Sequence, residues 1–146
     1  FGGGIGTHAL ANAMSENVKH VFFVDINETN REFVKFRAKK LGLEQKISFY
    51  KSVEDTYVNK FDSIVCLDVL EHLEDPALQL DKFYQIMEED SISIFNWYFY
   101  KGDNNEYPFH IDDEILIKNF FETLQYKFIE IFHPMLITTR VYKKRV

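Results

Sequence analysis

Gly2, Gly4 and Gly6 alternate in Phe1-Gly2-Gly3-Gly4-Ile5-Gly6-Thr7-His8, and about twenty residues on an apolar run, Val21-Phe22-Phe23-Val24, ends in Asp25. A glycine-rich turn between strand and helix lets backbone approach a ligand closely, because no Cβ intervenes. The helix that follows offers unpaired N–H groups and a positive dipole end. An acid at the tip of the next strand can accept both hydroxyl protons of a ribose. Together these features specify a nucleotide-type cofactor. A second group capable of chemistry is Glu71-His72, where an imidazole follows a carboxylate at the end of another apolar run.

The glycine order decides between cofactors. A dinucleotide fingerprint, G-x-G-x-x-G, places its third glycine where the first helix packs on the sheet, and no triple among Gly2, Gly3, Gly4 and Gly6 has that spacing. The order here is G-x-G-x-G. With Asp25, it resembles motif I and the partner acid of the class I S-adenosylmethionine-dependent methyltransferases. A third block, Phe61-Asp62-Ser63-Ile64-Val65-Cys66-Leu67-Asp68-Val69-Leu70-Glu71-His72-Leu73-Glu74-Asp75-Pro76, resembles the F-D-x-V-x-x-x-x-V-L-E-H segment of the small-molecule, ubiquinone-biosynthesis-like branch of that family. The three blocks cover about the first half of the chain.

The resemblance implies S-adenosylmethionine as cofactor, a small-molecule methyl acceptor and transfer by in-line displacement. It places Gly2, Gly4, Gly6, Asp25 and the adjoining Ile26 around the cofactor, with Asp25 on the ribose diol. Adenine is expected near Val53 and Glu54, where the family commonly has an acid and this chain has Ser52-Val53 followed by Glu54-Asp55. A solvated acidic turn explains those four residues equally well. Cys66, Leu67 and Asp68 are expected beside the methionine portion, with the Cys66 side chain a small core residue rather than a nucleophile. His72 is the candidate general base, the alternative being that it only packs beside the cofactor. Tyr100 and His110 are the candidate acceptor contacts. Two further classes stay open: a non-catalytic cofactor-binding module of the same fold, and a nicotinamide-dependent oxidoreductase, which the glycine spacing disfavours.

No metal is expected, since His8, His20, His72, His110 and His133 show no i, i+4 ligand spacing. The net charge of −6 argues against a duplex nucleic-acid partner, which would want a basic face. No apolar run approaches the ~20 residues of a membrane span. A lone Cys66 excludes an intramolecular disulfide and suits a reducing, cytoplasmic setting. The sequence assigns no oligomeric state.

Positioning these residues requires alternating strands and helices. The patterns predict helices from His8 to Met14, after a Thr29/Glu32 capping box with Phe33 and Phe36 facing inward and Gly42 as terminator, after Asp75-Pro76 through Leu80, Phe83, Tyr84 and Met87, and after an Asp112 cap through Leu116, Phe120 and Leu124. Strands are predicted at Val21–Val24, Ile47–Tyr50, Asp62–Leu67, Ser91–Tyr98, Lys127–Phe132 and Leu136–Tyr142, with Phe95, Trp97 and Phe99 read as core and Tyr100–His110 as a polar loop. The expected fold is α/β, Rossmann-like and doubly wound: one domain over residues 1–146, with a mostly parallel seven-stranded sheet whose last strand is antiparallel. The resemblance puts the first strand of that sheet, a central one, upstream of Phe1, so the domain is expected to be N-terminally incomplete.

Overall fold

Apolar strands followed by capped amphipathic helices can bury both faces of a parallel strand pair only by crossing back over it, and the chain makes this crossover twice. The computed structural model describes residues 1–56, 60–134 and 138–146. It comprises two compact units, Phe1–Val58 and Asn59–Val146.

In the first unit, helix α1 (Thr7–Met14) precedes strand β1 (Val21–Val24), helix α2 (Glu28–Lys40) and strand β2 (Ile47–Tyr50). β1 and β2 pair in parallel, Val21 opposite Ile47 and Val24 opposite Tyr50. Asn27, not Thr29, caps α2, its Oδ1 accepting from the Thr29 and Asn30 N–H groups at 2.9 and 3.4 Å. An Asn one position before the helix begins reaches those orphan donors, so Thr29 falls inside the first turn. Phe33 and Phe36 do not face inward. They are 47% and 55% exposed, because Val34 and Ala38 occupy the buried face at i, i+4 spacing. Arg37 and Lys40 cover the two outer rings from 5.8 and 4.6 Å. Gly42 ends the helix at φ 67°, as its place in the sequence predicts. The core joins Leu10 and Ala13 of α1, Phe23 of β1, Val34 and Ala38 of α2 and Ile47 of β2.

The second unit carries β3 (Phe61–Cys66), a single 3-10 turn (Leu70–His72), α3 (Pro76–Ile86), β4 (Met87–Phe95), α4 (Glu114–Lys127), β5 (Phe128–Phe132) and β6 (Arg140–Lys144). Its sheet runs β3-β4-β6-β5. β3 and β4 are parallel, and the β4–β6 and β6–β5 pairings are antiparallel. Asp75 caps α3 with Pro76 at the first helical position. Phe83, Phe95, Phe128 and Tyr142 stack in the core, with the Phe83 and Phe95 centroids 5.5 Å apart.

Several expectations shift. Met87, predicted as the last buried position of α3, is buried as the first residue of β4, which therefore begins earlier and ends at Phe95 rather than Tyr98. Asp113, not Asp112, caps α4 by accepting from the Ile115 and Leu116 N–H groups. β6 begins at Arg140; Leu136, where the last strand is predicted to start, lies outside the described residues. Among the described residues the strands form a two-stranded and a four-stranded ladder in place of one seven-stranded sheet.

Gly6 holds φ +79° as the residue preceding α1, and a Cβ there would stand 2.5 Å from Val34 Cγ1. Gly6→Ala combines left-handed strain with overpacking and is expected to destabilise the protein by about 2–4 kcal/mol in denaturant unfolding.

Candidate functional site

The glycine turn and the tip of β1 are tied together by one carboxylate. Asp25 is 6% exposed. Its Oδ2 accepts the Gly4 N–H at 2.7 Å and its Oδ1 the Asn27 N–H at 2.8 Å, while Asn30 Nδ2 stands 3.4 and 3.5 Å from the two oxygens. The Asp25 N–H extends the strand ladder by donating to Tyr50 O at 3.1 Å, and Arg31 donates to the carbonyls of Asp25 and Ile26 at 2.7 and 3.0 Å. Within the turn, Gly3 N–H donates to Val24 O and Gly6 N–H to Gly3 O. A Cβ on Gly3 would lie 2.1 Å from the Phe23 ring, so the turn packs flat against β1. Above Gly4, at φ +51°, a Cβ would meet nothing within 4 Å.

These features suit a nucleoside. A carboxylate has about four acceptor sites, so one backbone donor on each oxygen of Asp25 leaves capacity for a ribose diol. The open space over Gly4 and the exposed Ile26 leave room beside the turn. Gly2, Gly4 and Gly6 all hold positive φ. Val53 and Glu54 sit in the turn after β2, where Val53 O accepts from Thr56 and Asp55 closes the turn by accepting the Ser52 N–H at 3.0 Å.

In the second unit Cys66 ends β3, fully buried. Burial pushes its thiol up to about 12, with the nearby Glu71 and Asp68 carboxylates acting in the same direction. Such a thiol stays protonated and inert, as a core residue should. Leu67 follows, half-buried, and Asp68 adopts φ +54°. Asn96 holds that conformation: its Oδ1 accepts the Asp68 N–H at 2.5 Å, its Nδ2 donates to Asp68 Oδ1 at 2.7 Å, and its own N–H reaches Cys66 O at 3.4 Å. Sequence reasoning missed Asn96. The available signal was a lone amide in an otherwise aromatic strand end, directly before Trp97.

Beyond Asp68 the 3-10 turn carries Leu70, Glu71 and His72. Glu71 is 2% exposed, and its Oε2 has no hydrogen-bond partner. Its carbonyl accepts the Ile111 N–H at 2.9 Å, which brings the far end of the Tyr100–His110 loop against the turn. The His72 and His110 rings meet edge to face at 4.7 Å. His110 also stacks on Tyr107 at 5.0 Å and meets Tyr98 at 5.8 Å. Its Nδ1 faces Tyr100 O at 3.0 Å, and His72 Nδ1 faces Phe109 O at 3.4 Å. A carbonyl only accepts, so Nδ1 is the donor nitrogen of each ring, and in a neutral imidazole that leaves the lone pair on Nε2. The Tyr100 hydroxyl pairs with Asp103, a hydrogen bond that raises its pKa and keeps it a neutral donor. Of the three aromatics read as core, Phe95 is fully buried, whereas Trp97 and Phe99 lie past the end of β4 and pack half-buried on Phe120 and Phe121. The structure thus gathers the predicted His72, Tyr100 and His110 in one cluster and adds Glu71, Tyr98 and Tyr107.

A family model described as a methyltransferase domain matches residues 1–107. The chain belongs to that methyltransferase family. Membership makes it a class I, S-adenosylmethionine-dependent methyltransferase domain, and no described helix is long and apolar enough to cross a membrane. Curated proteins similar to this methyltransferase domain include the ubiquinone biosynthesis O-methyltransferases of Psychrobacter arcticus, 23% identical over 97 residues, and Histophilus somni, 29% identical over 99. Each match takes in 64% of this chain, which spans 38% and 42% of those relatives. A solved S-adenosylmethionine-dependent O-methyltransferase from Thermotoga maritima superposes with a TM-score of 0.64 at 13% identity, over 99% of this chain and 57% of that one, and so supports the α/β fold.

Two outcomes test the local account. Asn96→Leu leaves the Asp68 N–H and carboxylate without their partner and should cost about 1–3 kcal/mol in denaturant unfolding. Cys66 should resist alkylation at pH 8 in the folded protein and react on unfolding. A thiol raised from 9.0 to about 12 on folding stabilises the native state below pH 9, and stability should fall as pH rises from 9 toward 12, where only the unfolded chain loses the proton.

Proposed function

We propose that the protein methylates an oxygen of a small-molecule acceptor by in-line displacement. The observation that carries this reading is the Gly4 N–H to Asp25 carboxylate contact, which couples an open glycine turn to a strand-tip acid. Gly2, Gly4, Gly6, Asp25 and Ile26 would hold the nucleoside, with Val53 and Glu54 near its base. Cys66, Leu67 and Asp68 would face the amino-acid portion. S-adenosylmethionine supplies an electrophilic methyl on a sulfonium that is its own leaving group. What remains for the chain is mostly alignment, which contributes up to about 7–11 kcal/mol in well-oriented systems.

An acceptor hydroxyl must also lose its proton, and His72 is the residue assigned that role in this reading. Its Nδ1–H is committed to Phe109 O, which leaves Nε2 as the basic site. Tyr100 and His110 border the same cluster, and the flat rings of Tyr98 and Tyr107 suit a planar acceptor. The similar curated proteins are named for O-methylation in ubiquinone biosynthesis, which supports oxygen as the methylated atom and a small molecule, rather than a nucleic acid, as the partner.

Calorimetric binding of S-adenosylhomocysteine to the wild type and Asp25→Ala tests the cofactor assignment. Loss of the ribose contacts should weaken binding by about 1–3 kcal/mol. Equal affinity in a folded Asp25→Ala protein would remove Asp25 from the cofactor site. His72→Gln should lower turnover of a phenolic acceptor about 10²–10⁴-fold while leaving S-adenosylhomocysteine affinity unchanged. Cofactor affinity without turnover of any acceptor would identify a binding module instead.

A further inference from the structure

Glu71, His72 and His110 place one donor atom each within 4.8 Å of the other two. Three features of this cluster exceed what a loop staple needs. Glu71 is buried, yet Oε2 is left without a hydrogen bond, and an unpartnered buried carboxylate oxygen is costly unless a cation or water completes it. Both imidazoles turn Nδ1 toward a backbone carbonyl, Phe109 O at 3.4 Å for His72 and Tyr100 O at 3.0 Å for His110, which leaves Nε2 as the ligand atom of the neutral ring. Metal-ligating histidines are oriented in this way, the outer N–H on a carbonyl and the inner lone pair on the ion. The elements that carry the donors are also joined by the Glu71 O to Ile111 N–H bond at 2.9 Å.

We propose that Glu71, His72 Nε2 and His110 Nε2 form a binding site for a borderline transition-metal dication of the zinc class. Two neutral imidazoles and one carboxylate match the ligand preference of such ions and leave a coordination position open, whereas an all-oxygen donor set would suit magnesium or calcium. Metal–ligand bonds of about 2.0–2.2 Å put neighbouring donors about 3–4 Å apart, so closure from the observed spread needs a side-chain movement of about 1 Å. Linear spacing concealed the site because one imidazole comes from the 3-10 turn and the other from the end of a distant loop. The ion would use the same Nε2 lone pair of His72 that proton transfer uses, so the metal-loaded chain would lack that base and the two roles compete for one atom. Ion binding is therefore tested without cofactor or acceptor, where its failure and a failure of the methyl-transfer reading are read separately.

The test is a Zn²⁺ titration by calorimetry on chelator-stripped protein without cofactor or acceptor, paralleled by the visible absorption of bound Co²⁺. The expected result is one ion per chain at micromolar affinity or tighter, weakened at least about tenfold in both Glu71→Gln and His110→Gln and unchanged in His133→Gln, which lies outside the cluster. Thermal unfolding without metal verifies that each variant is folded, and added Zn²⁺ should raise the midpoint of the wild type but not of His110→Gln. No binding by folded wild type would overturn the proposal. So would binding that survives both ligand substitutions or that His133→Gln abolishes.

Discussion

A buried carboxylate is tolerable only where donors surround it, and in the first unit that requirement organises the glycine turn. Asp25 is nearly inaccessible, and its two oxygens take the Gly4 and Asn27 N–H groups. One of those donors belongs to the turn and the other to the entry of α2. The same side chain therefore sets the distance between the turn and the helix cap, while its backbone prolongs the β1–β2 ladder through Tyr50. Asn27 then caps α2, and the Gly3 and Gly6 positions exclude any Cβ against Phe23 and Val34. Turn, strand tip and helix entry form one interlocked piece.

The second unit solves a related problem differently. Past the end of β3 the chain must leave the sheet and still present polar groups, and it does so by placing Asp68 in the left-handed region under the grip of the Asn96 amide. Non-glycine residues at positive φ persist only where their surroundings hold them. The turn that follows drops Leu70 into the core and carries Glu71 inward, which frees His72 to face the loop. A closing ring of aromatic side chains around His110 fastens that loop.

Much of this was legible in the linear chain because it is encoded locally. The glycine triad, the acid after an apolar run and the Asp75-Pro76 cap are short-range signals that map onto the structure, and the periodicity of α3 does so as far as Tyr84, Met87 belonging to β4. Errors arose where two local choices competed. Asn27 outcompeted Thr29 and Asp113 outcompeted Asp112 as caps, since a one-position difference decides which oxygen reaches the orphan donors. Phe33 and Phe36 were misread because large rings advertise burial, while the helix phase gives the inner face to Val34 and Ala38. The role of Asn96 depends on Asp68, which lies 28 residues away, and Tyr98 and Tyr107 meet His110 through the path of an irregular loop that carries no periodic signal.

The reciprocal amide pairing of Asn96 with Asp68 also acts as an error check on strand alignment. β3 and β4 pair through an irregularity near their start, Phe61 opposite Met87 but Ser63 opposite Ile92, so the ladder has to recover its register beyond that point. At the far end Cys66 stands opposite Phe95, and the next residue of β4 is the one that reaches Asp68. A slip of one position would present Phe95 or Trp97 there instead, and neither side chain can answer both a backbone N–H and a carboxylate. Misaligned sheets would thus forfeit two part-buried hydrogen bonds, a loss that falls only on the wrong pairing.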